Sequence, residues 1–209
     1  MEGRDSLLDV LARAQAAGFL GPGDPAKHLD HALGFVDAAL SLLGDPPARF
    51  ADLGTGGGVP GLVLASIWDE AQAVFIESSA RRCQALEEWA EELGFRERVE
   101  VVSGRAEDRA HEEGLRETFD LVSARSFARP AVTAEIACGF LKVGAPLVVS
   151  EPPDPGPDRW PAVELDALGF EPVVQMVVRE AHYAGIRKVR AADPGIPRAV
   201  GRPAKRPRW

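Results

Sequence analysis

Only two cysteines, Cys83 and Cys138, occur in 209 residues, too few for a disulfide framework, so a reducing, cytoplasmic setting is expected. No apolar run approaches the roughly 20 residues of a membrane helix. The opening Met1-Glu2-Gly3-Arg4-Asp5 lacks the basic-then-apolar order of a secretory leader. His28 and His31 share a helix face, but no cysteine or third histidine is placed to join them, so no metal is expected. No Gly-x-Ser-x-Gly segment supports a hydrolase, and no Gly-Lys-Ser/Thr follows the glycines to make a P-loop. What remains is ordinary globular composition, 45% hydrophobic and 27% charged, of a length that fits one domain or one domain with an arm.

Charge is unevenly spread. Residues 187–209 hold eight basic side chains (Arg187, Lys188, Arg190, Arg198, Arg202, Lys205, Arg206, Arg208) against one acid, Asp193, so they carry +7 of a net −8 and leave −15 on the rest. An acidic body with a basic end suits a polyanionic partner or, equally, a solvated tail. Pro194, Pro197, Pro203 and Pro207 predict an extended arm rather than a helix.

The pattern divides the chain into an N-terminal helical segment, 1–47, a core domain, 48–190, and a basic Pro-rich C-terminal arm, 191–209. Apolar spacing predicts helices over Ser6–Ala17 and Pro25–Leu43. From residue 48 strands and helices alternate. Strands are expected at Arg49–Leu53, Ala73–Ile76, Val99–Ser103, Phe119–Ala124 and Ala145–Ser150. Helices are expected at Pro60–Trp68, Ser79–Leu93, Pro130–Phe140 and Trp160–Leu168. Val173–Arg179 and Gly185–Arg190 close the body as an antiparallel pair; a charged stretch precedes the strand at Phe119, and His111-Glu112-Glu113 is read as lying on a charged, solvated stretch. This alternation predicts an α/β fold, a Rossmann-like, mostly parallel sheet with helices on both faces.

The informative segment follows the first strand: Asp52-Leu53-Gly54-Thr55-Gly56-Gly57-Gly58-Val59-Pro60-Gly61. Glycines there let the backbone turn tightly and approach a ligand, with the amides of the next helix facing it. Glu77 ends the second strand, where a carboxylate can accept ribose hydroxyls. Asp52, just before the loop, would repel a pyrophosphate and attract an ammonium. S-adenosylmethionine, with an amino-acid end, a ribose and no phosphate, fits better than a dinucleotide.

These residues resemble the first motif of class I S-adenosylmethionine-dependent methyltransferases. With Val59-Pro60-Gly61 added, they are similar to the RsmG/GidB family of small-subunit ribosomal RNA guanine-N7 methyltransferases. Phe119-Asp120-Leu121-Val122-Ser123-Ala124-Arg125-Ser126-Phe127-Ala128 resembles that family's fourth strand and its Ser-Arg-Ala-Phe-Ala signature. Ser103-Gly104-Arg105-Ala106-Glu107 resembles its adenine turn. Pro194-Gly195-Ile196-Pro197 and Gly201-Arg202-Pro203-Ala204-Lys205-Arg206-Pro207 resemble its basic C-terminal arm.

The resemblance covers about residues 25–209 and implies a seven-stranded sheet of order 3-2-1-4-5-7-6. It implies that Gly54, Thr55, Gly56 and Gly58 wrap the methionine part of S-adenosylmethionine, that Glu77 binds ribose, and that Ala106 and Glu107 line the adenine pocket. Arg125 would sit at the pocket mouth beside cofactor and incoming base. Asp52 would meet the methionine ammonium or order the loop. The implied partner is small-subunit (16S) ribosomal RNA or the ribosomal particle, met by a cytoplasmic monomer with no metal and no membrane. Three departures are visible: a short Ala-rich helix where members carry a longer N-terminal segment, His28-Leu29-Asp30-His31-Ala32-Leu33 where they carry His-x-x-Asp-Ser-Leu, and Ser150-Glu151-Pro152-Pro153 where many carry Lys-Gly. An acid at 151 is expected to weaken phosphate binding on the substrate side.

Guanine N7 carries a lone pair and no proton, so methyl transfer to it needs positioning rather than a general base. The base must be unpaired or extruded to be reached. Arg125 could place its fork on guanine O6 or a phosphate, or serve only to order the loop. Cys83, Cys138 and Trp89 are read as packing residues, and Trp160 as packing or as a platform for a stacked base. Two other readings stay open: a diverged methyltransferase acting on another substrate, and a non-catalytic RNA-binding or assembly protein that keeps the fold.

Overall fold

The computed structural model describes residues 2–209; Met1, part of the stretch read for a leader, lies outside the described residues. Two helices, α1 (Glu2–Ala16) and α2 (Pro25–Leu43), precede the alternating part. Asp24 caps α2 by accepting from the Ala26 N–H at 2.9 Å, Pro25 occupies its first turn, and Gly44 at φ 86° ends it. Then follow β1 (Arg49–Leu53), α3 (Gly61–Ile67), β2 (Gln72–Glu77), α4 (Ala80–Glu92), β3 (Val99–Ser103), α5 (Ala106–Arg109), β4 (Leu121–Ala124), α6 (Pro130–Phe140), β5 (Pro146–Glu151), α7 (Ala162–Ala167), β6 (Val174–Val178), β7 (Ala181–Arg187) and α8 (Arg202–Lys205).

The seven strands lie in the order β3-β2-β1-β4-β5-β7-β6, as the resemblance implied. The first five are parallel, and β7 runs antiparallel to both β5 and β6. Because side chains alternate along a strand, the sheet builds two cores. Ala51 and Leu53 of β1 pack with α5, α6 and α7, while Phe50 packs with α1, α2, α3 and α4. Asp52 and Ser123 follow the parity of Phe50 and face the α2 side. Cys83, Cys138 and Trp89 are buried packing residues, and burial pushes the Cys138 thiol up to about 11. Among the described residues no helix is long and apolar enough to cross a membrane, and no cluster of three metal-ligating side chains occurs.

Three expectations need correction. The last strand was expected at 185–190, but β7 starts at Ala181. The hairpin turns at Arg179-Glu180, both at positive φ (48° and 62°), without the Asn or Gly that such turns favour. An ion pair from Arg179 Nε to Asp37 Oδ2, 2.6 Å, holds the turn instead. His111, expected on a solvated stretch, instead brings its Nε2 to 2.8 Å from the Pro197 carbonyl. The C-terminal segment is not an extended arm. Arg116 donates to the carbonyls of Ile196 (2.9 Å) and Asp193 (3.0 Å), and Arg198 and Arg208 pair with the buried Glu135 of α6 at 2.6 and 3.4 Å. Prolines forbid an interior helix, but Pro203 fits the first turn of α8 and is buried there.

The basic end therefore divides. Lys188 is fully buried, its ammonium held by Glu117 Oε1 (2.6 Å) and the carbonyls of Cys138 (2.6 Å) and Leu141 (2.8 Å). Arg190 pairs with Asp166. Arg202, Lys205 and Arg206 have no ion pair among the described residues and lie exposed on or beside α8.

Candidate functional site

The carboxyl ends of β1, β2 and β3 open onto a cleft of about 320 Å³, with the segment after β4 as its far wall. Gly54, Glu77, Ala106 and Glu107 line it, four of the residues expected to hold a cofactor. The loop after β1 is fixed from within: Thr55 Oγ1 donates to the Asp52 carbonyl at 3.0 Å, and the Gly58 N–H to the Thr55 carbonyl at 2.9 Å. Gly54, Gly56 and Gly58 sit at φ 66°, 58° and 91°, the left-handed region that favours glycine. A Cβ on Gly54 would stand 2.7 Å from the Phe127 ring, so the close approach of that ring also requires glycine.

Glu77 joins loop to sheet. Its buried carboxylate accepts the Gly56 N–H at 3.0 Å and the Ser79 N–H at 2.9 Å, with Arg82 at 3.7 Å. Glu107 is also buried and accepts the Gly201 N–H at 3.1 Å, so the C-terminal segment docks on the cleft, with Ala204 in its wall. Sequence reasoning missed Ala204, Phe127, Val132 and Ile136. The signal was present as Glu135, a lone acid in an otherwise apolar helix, whose burial demands a cation from elsewhere in the chain.

Of the other expected residues, Thr55, Gly56 and Gly58 shape the loop without lining the cleft, and Asp52 and Arg125 do not line it either. Asp52 is fully buried beneath the loop, accepting from Ser123 Oγ at 2.8 Å and the Gly61 N–H at 3.1 Å, which orders the loop. Arg125 continues the parity of Ser123 past the end of β4, so it points to the α2 side, where its Nη2 meets His28 Nδ1 at 2.9 Å. Its Nη1 and the Nδ1 of His31 are buried without a hydrogen-bond partner. This corrects the expected position of Arg125 at the cleft mouth.

Burial pushes the Asp52 carboxyl up to about 7, against the lowering effects of Ser123, Thr55, Gly61 and Arg125. Burial, then Arg125 and His28, hold His31 down at about 4. These act oppositely on stability. Folded Asp52 keeps a proton that the unfolded chain has released, so its contribution is full at low pH and is lost as pH rises towards 7. Unfolded His31 takes a proton that the folded state refuses, so its contribution is gained as pH rises from 4 to 6.5. Asp52→Asn removes only the first. The unfolding free energy of the variant, relative to wild type, is expected to climb by about 4 kcal/mol between pH 4 and 7. Urea unfolding at a series of pH values checks this, and parallel curves would contradict the raised carboxyl.

Two other expectations change. Glu151 is not a free anion facing the substrate: its side chain is fully buried, with Oε2 at 2.5 Å from Arg159 Nε and Oε1 accepting from Trp160 Nε1 at 3.1 Å. Trp160 is itself buried, edge-on to Trp209 at 6.4 Å, so it packs rather than stacking a base.

Comparison with known proteins agrees with the geometry. The model of the GidB family, rRNA small subunit methyltransferase G, matches residues 13–150. A ribosomal RNA small subunit methyltransferase G of Rubrobacter xylanophilus is 33% identical over 95% of this chain and 80% of its own length. One of Lactococcus lactis subsp. cremoris is 33% identical over 79% of this chain and 72% of its own. Among solved structures, an O-methyltransferase from Bacillus cereus in complex with SAH superposes with a TM-score of 0.61 at 17% identity, covering 88% of this chain and 91% of that one. Cofactor-bound Rv0187 from MTB gives 0.61 at 20% identity, covering 89% and 91%. At that identity the two structures speak to the fold, which is the one read from the strand order.

Proposed function

The chain belongs to the GidB family, rRNA small subunit methyltransferase G, and from that premise we propose that it transfers a methyl group from S-adenosylmethionine to N7 of a guanine in 16S ribosomal RNA. The observation that carries the reading is the cleft itself. Gly54 at the start of the left-handed glycine loop, the Glu77 carboxylate that accepts the Gly56 N–H, and the Glu107 carboxylate converge on one space, with Ile76, Phe127, Val132 and Ile136 as its apolar lining. Two acceptor carboxylates and an apolar lining suit a ligand with a ribose, a purine face and carbon-rich substituents around a cationic sulfur. The reading includes a cytoplasmic location and a single copy of the chain as the working unit.

S-adenosylmethionine, when bound, supplies an electrophilic methyl group. The protein's part is positional. Gly54, Thr55, Gly56 and Gly58 shape the loop around the methionine end, Glu77 accepts ribose hydroxyls, and Ala106 and Glu107 bound the adenine. Asp52 works from below, holding the loop through Gly61 and Ser123. Phe127 narrows the cleft and excludes water beside the reacting atoms. N7 of guanine has no proton to lose, so the carboxylates named here are needed to hold the loop and the ligand and not as a base.

The C-terminal strap belongs to this site in two ways, through the Gly201–Glu107 hydrogen bond and through Arg202, Lys205 and Arg206 on its outer side. Ending the chain after Val200, which removes Gly201 and the three exposed cations but keeps Arg198 on the buried Glu135, is expected to weaken S-adenosylmethionine by about 1 kcal/mol, roughly fivefold. It should also flatten the salt dependence of RNA binding. Calorimetry and filter binding over a salt series check both; unchanged affinity and slope would make the strap a passive tail.

The direct test is transfer of labelled methyl from S-adenosylmethionine to small subunits purified from cells lacking this modification. Label in the 16S RNA supports the reading. Binding of S-adenosylmethionine without transfer to those subunits would send it to another substrate.

A further inference from the structure

Beside the cofactor cleft lies a second one of about 300 Å³, at the carboxyl ends of β4 and β5. The two share one wall, Ser126-Phe127-Ala128. Ser126 stands at φ 52°, a left-handed conformation that costs a serine energy and makes the bend that aims Phe127 between the clefts. The far wall of the second cleft carries Glu151, Arg159 and Trp160.

Arg159 is built into that wall. Its Nε is held by the buried Glu151, its carbonyl accepts from Trp209 Nε1 at 2.9 Å, and Trp209 packs edge-on against Trp160. Among the described residues neither Nη1 nor Nη2 has an acceptor, and the side chain is 32% exposed. A guanidinium fastened at Nε presents its remaining two-nitrogen edge end-on, the geometry that pairs with two oxygens of a phosphate. The buried carboxylate fixes that edge in advance, so little side-chain entropy is lost on binding. Beside the first cleft, the segment that puts Ala204 in its wall offers further unpaired cations, Arg202, Lys205 and Arg206.

We propose that the second cleft receives the target nucleotide extruded from the RNA, and that Arg159, oriented by Glu151, clamps its phosphodiester. The inference rests on the proposed function and names how that substrate is held. It also turns the acid at 151 from an obstacle to phosphate into the support of the group that binds it.

Arg159→Gln is expected to raise KM for small subunits about tenfold, with the loss falling on KM rather than on kcat. The slope of log affinity against log salt should fall by about 0.7–0.9, the signature of one phosphate contact. S-adenosylmethionine affinity should not change. Arg159→Lys, which keeps the charge but not the fork, should recover only part of the loss. Removing Arg159 strands a buried carboxylate, so Glu151→Gln/Arg159→Gln, which keeps an acceptor for Trp160, serves as the folded control and should show the same KM and salt effects. A folded double variant with wild-type KM and salt slope would overturn the clamp while leaving the function standing. So would a loss confined to S-adenosylmethionine affinity. No transfer by the wild-type enzyme would overturn the proposed function, and the clamp with it.

Discussion

Gly56→Asp is expected to lose S-adenosylmethionine binding by about a hundredfold or more while the protein stays folded. The backbone at Gly56 has φ 58°, a left-handed conformation that aspartate accepts more readily than most residues. A Cβ there would meet nothing nearer than 3.6 Å, an ordinary contact. No neighbour is struck, so the cost of the side chain falls on the loop as φ strain rather than on the core as a clash. The Gly56 N–H donates to Glu77 Oε2 at 3.0 Å, so the new carboxylate arrives beside one already buried. Two like charges at such range repel by about 4 kcal/mol at the effective dielectric of a protein surface, which displaces the loop locally, and the new carboxylate stands where the proposed reading puts the methionine end and the ribose. Gly54 and Gly58 would make poorer tests, because a Cβ would strike Phe127 at 2.7 Å in one case and Leu62 in the other, and the loop itself would move. Calorimetric titration of Gly56→Asp with S-adenosylmethionine checks the prediction; wild-type affinity would remove the loop from the site.

Lys188→Met is expected to destabilise the fold by about 3–5 kcal/mol, because it strands Glu117 and leaves two carbonyls without their donor. A lysine on a solvated tail would give a change within about ±0.5 kcal/mol. Burial acts against the carboxylate of Glu117, but Lys188, the Ala192 N–H and Arg116 together hold its pKa below the usual value. The same lysine ties the carbonyls at the end of α6 to the strand leaving β7, so its loss loosens two elements at once. Adding Glu117→Gln to Lys188→Met should recover part of the loss by removing the stranded charge. Urea unfolding with an unchanged m-value measures both. A midpoint equal to wild type would return Lys188 to the basic tail.

The alternation of strands and helices was legible because each element here is amphipathic or wholly apolar at its own period. Pro25–Leu43 and Pro130–Phe140 were read to the residue, since proline starts them and a glycine or a turn stops them. The glycine loop and Glu77 were legible as chemistry, because the loop needs positive φ and the carboxylate ends a strand beside it. The strap was not. Its prolines and charges are those of a solvated arm, and only pairing across the fold, Arg198 and Arg208 to Glu135 or Arg116 to the 193 and 196 carbonyls, shows that it docks. The charge count misled for the same reason: Lys188 and Arg190 are basic in sequence but neutralised in space. Arg125 could not be placed from its motif, because one residue of parity after β4 decides which face of the sheet it serves. Glu151 looked repulsive until Arg159, eight residues on across a Pro-rich loop, was seen against it.

The central claim is methyl transfer to guanine N7, and the measurement that tests it most directly is nucleoside mass spectrometry. Small subunits from cells lacking the modification are incubated with the enzyme and S-adenosylmethionine, and their 16S RNA is digested and compared with an untreated control. The account predicts a single new 7-methylguanosine per RNA, absent when Gly56→Asp replaces the wild type. A different methylated nucleoside, or an unchanged digest from an enzyme that binds S-adenosylmethionine, would contradict it.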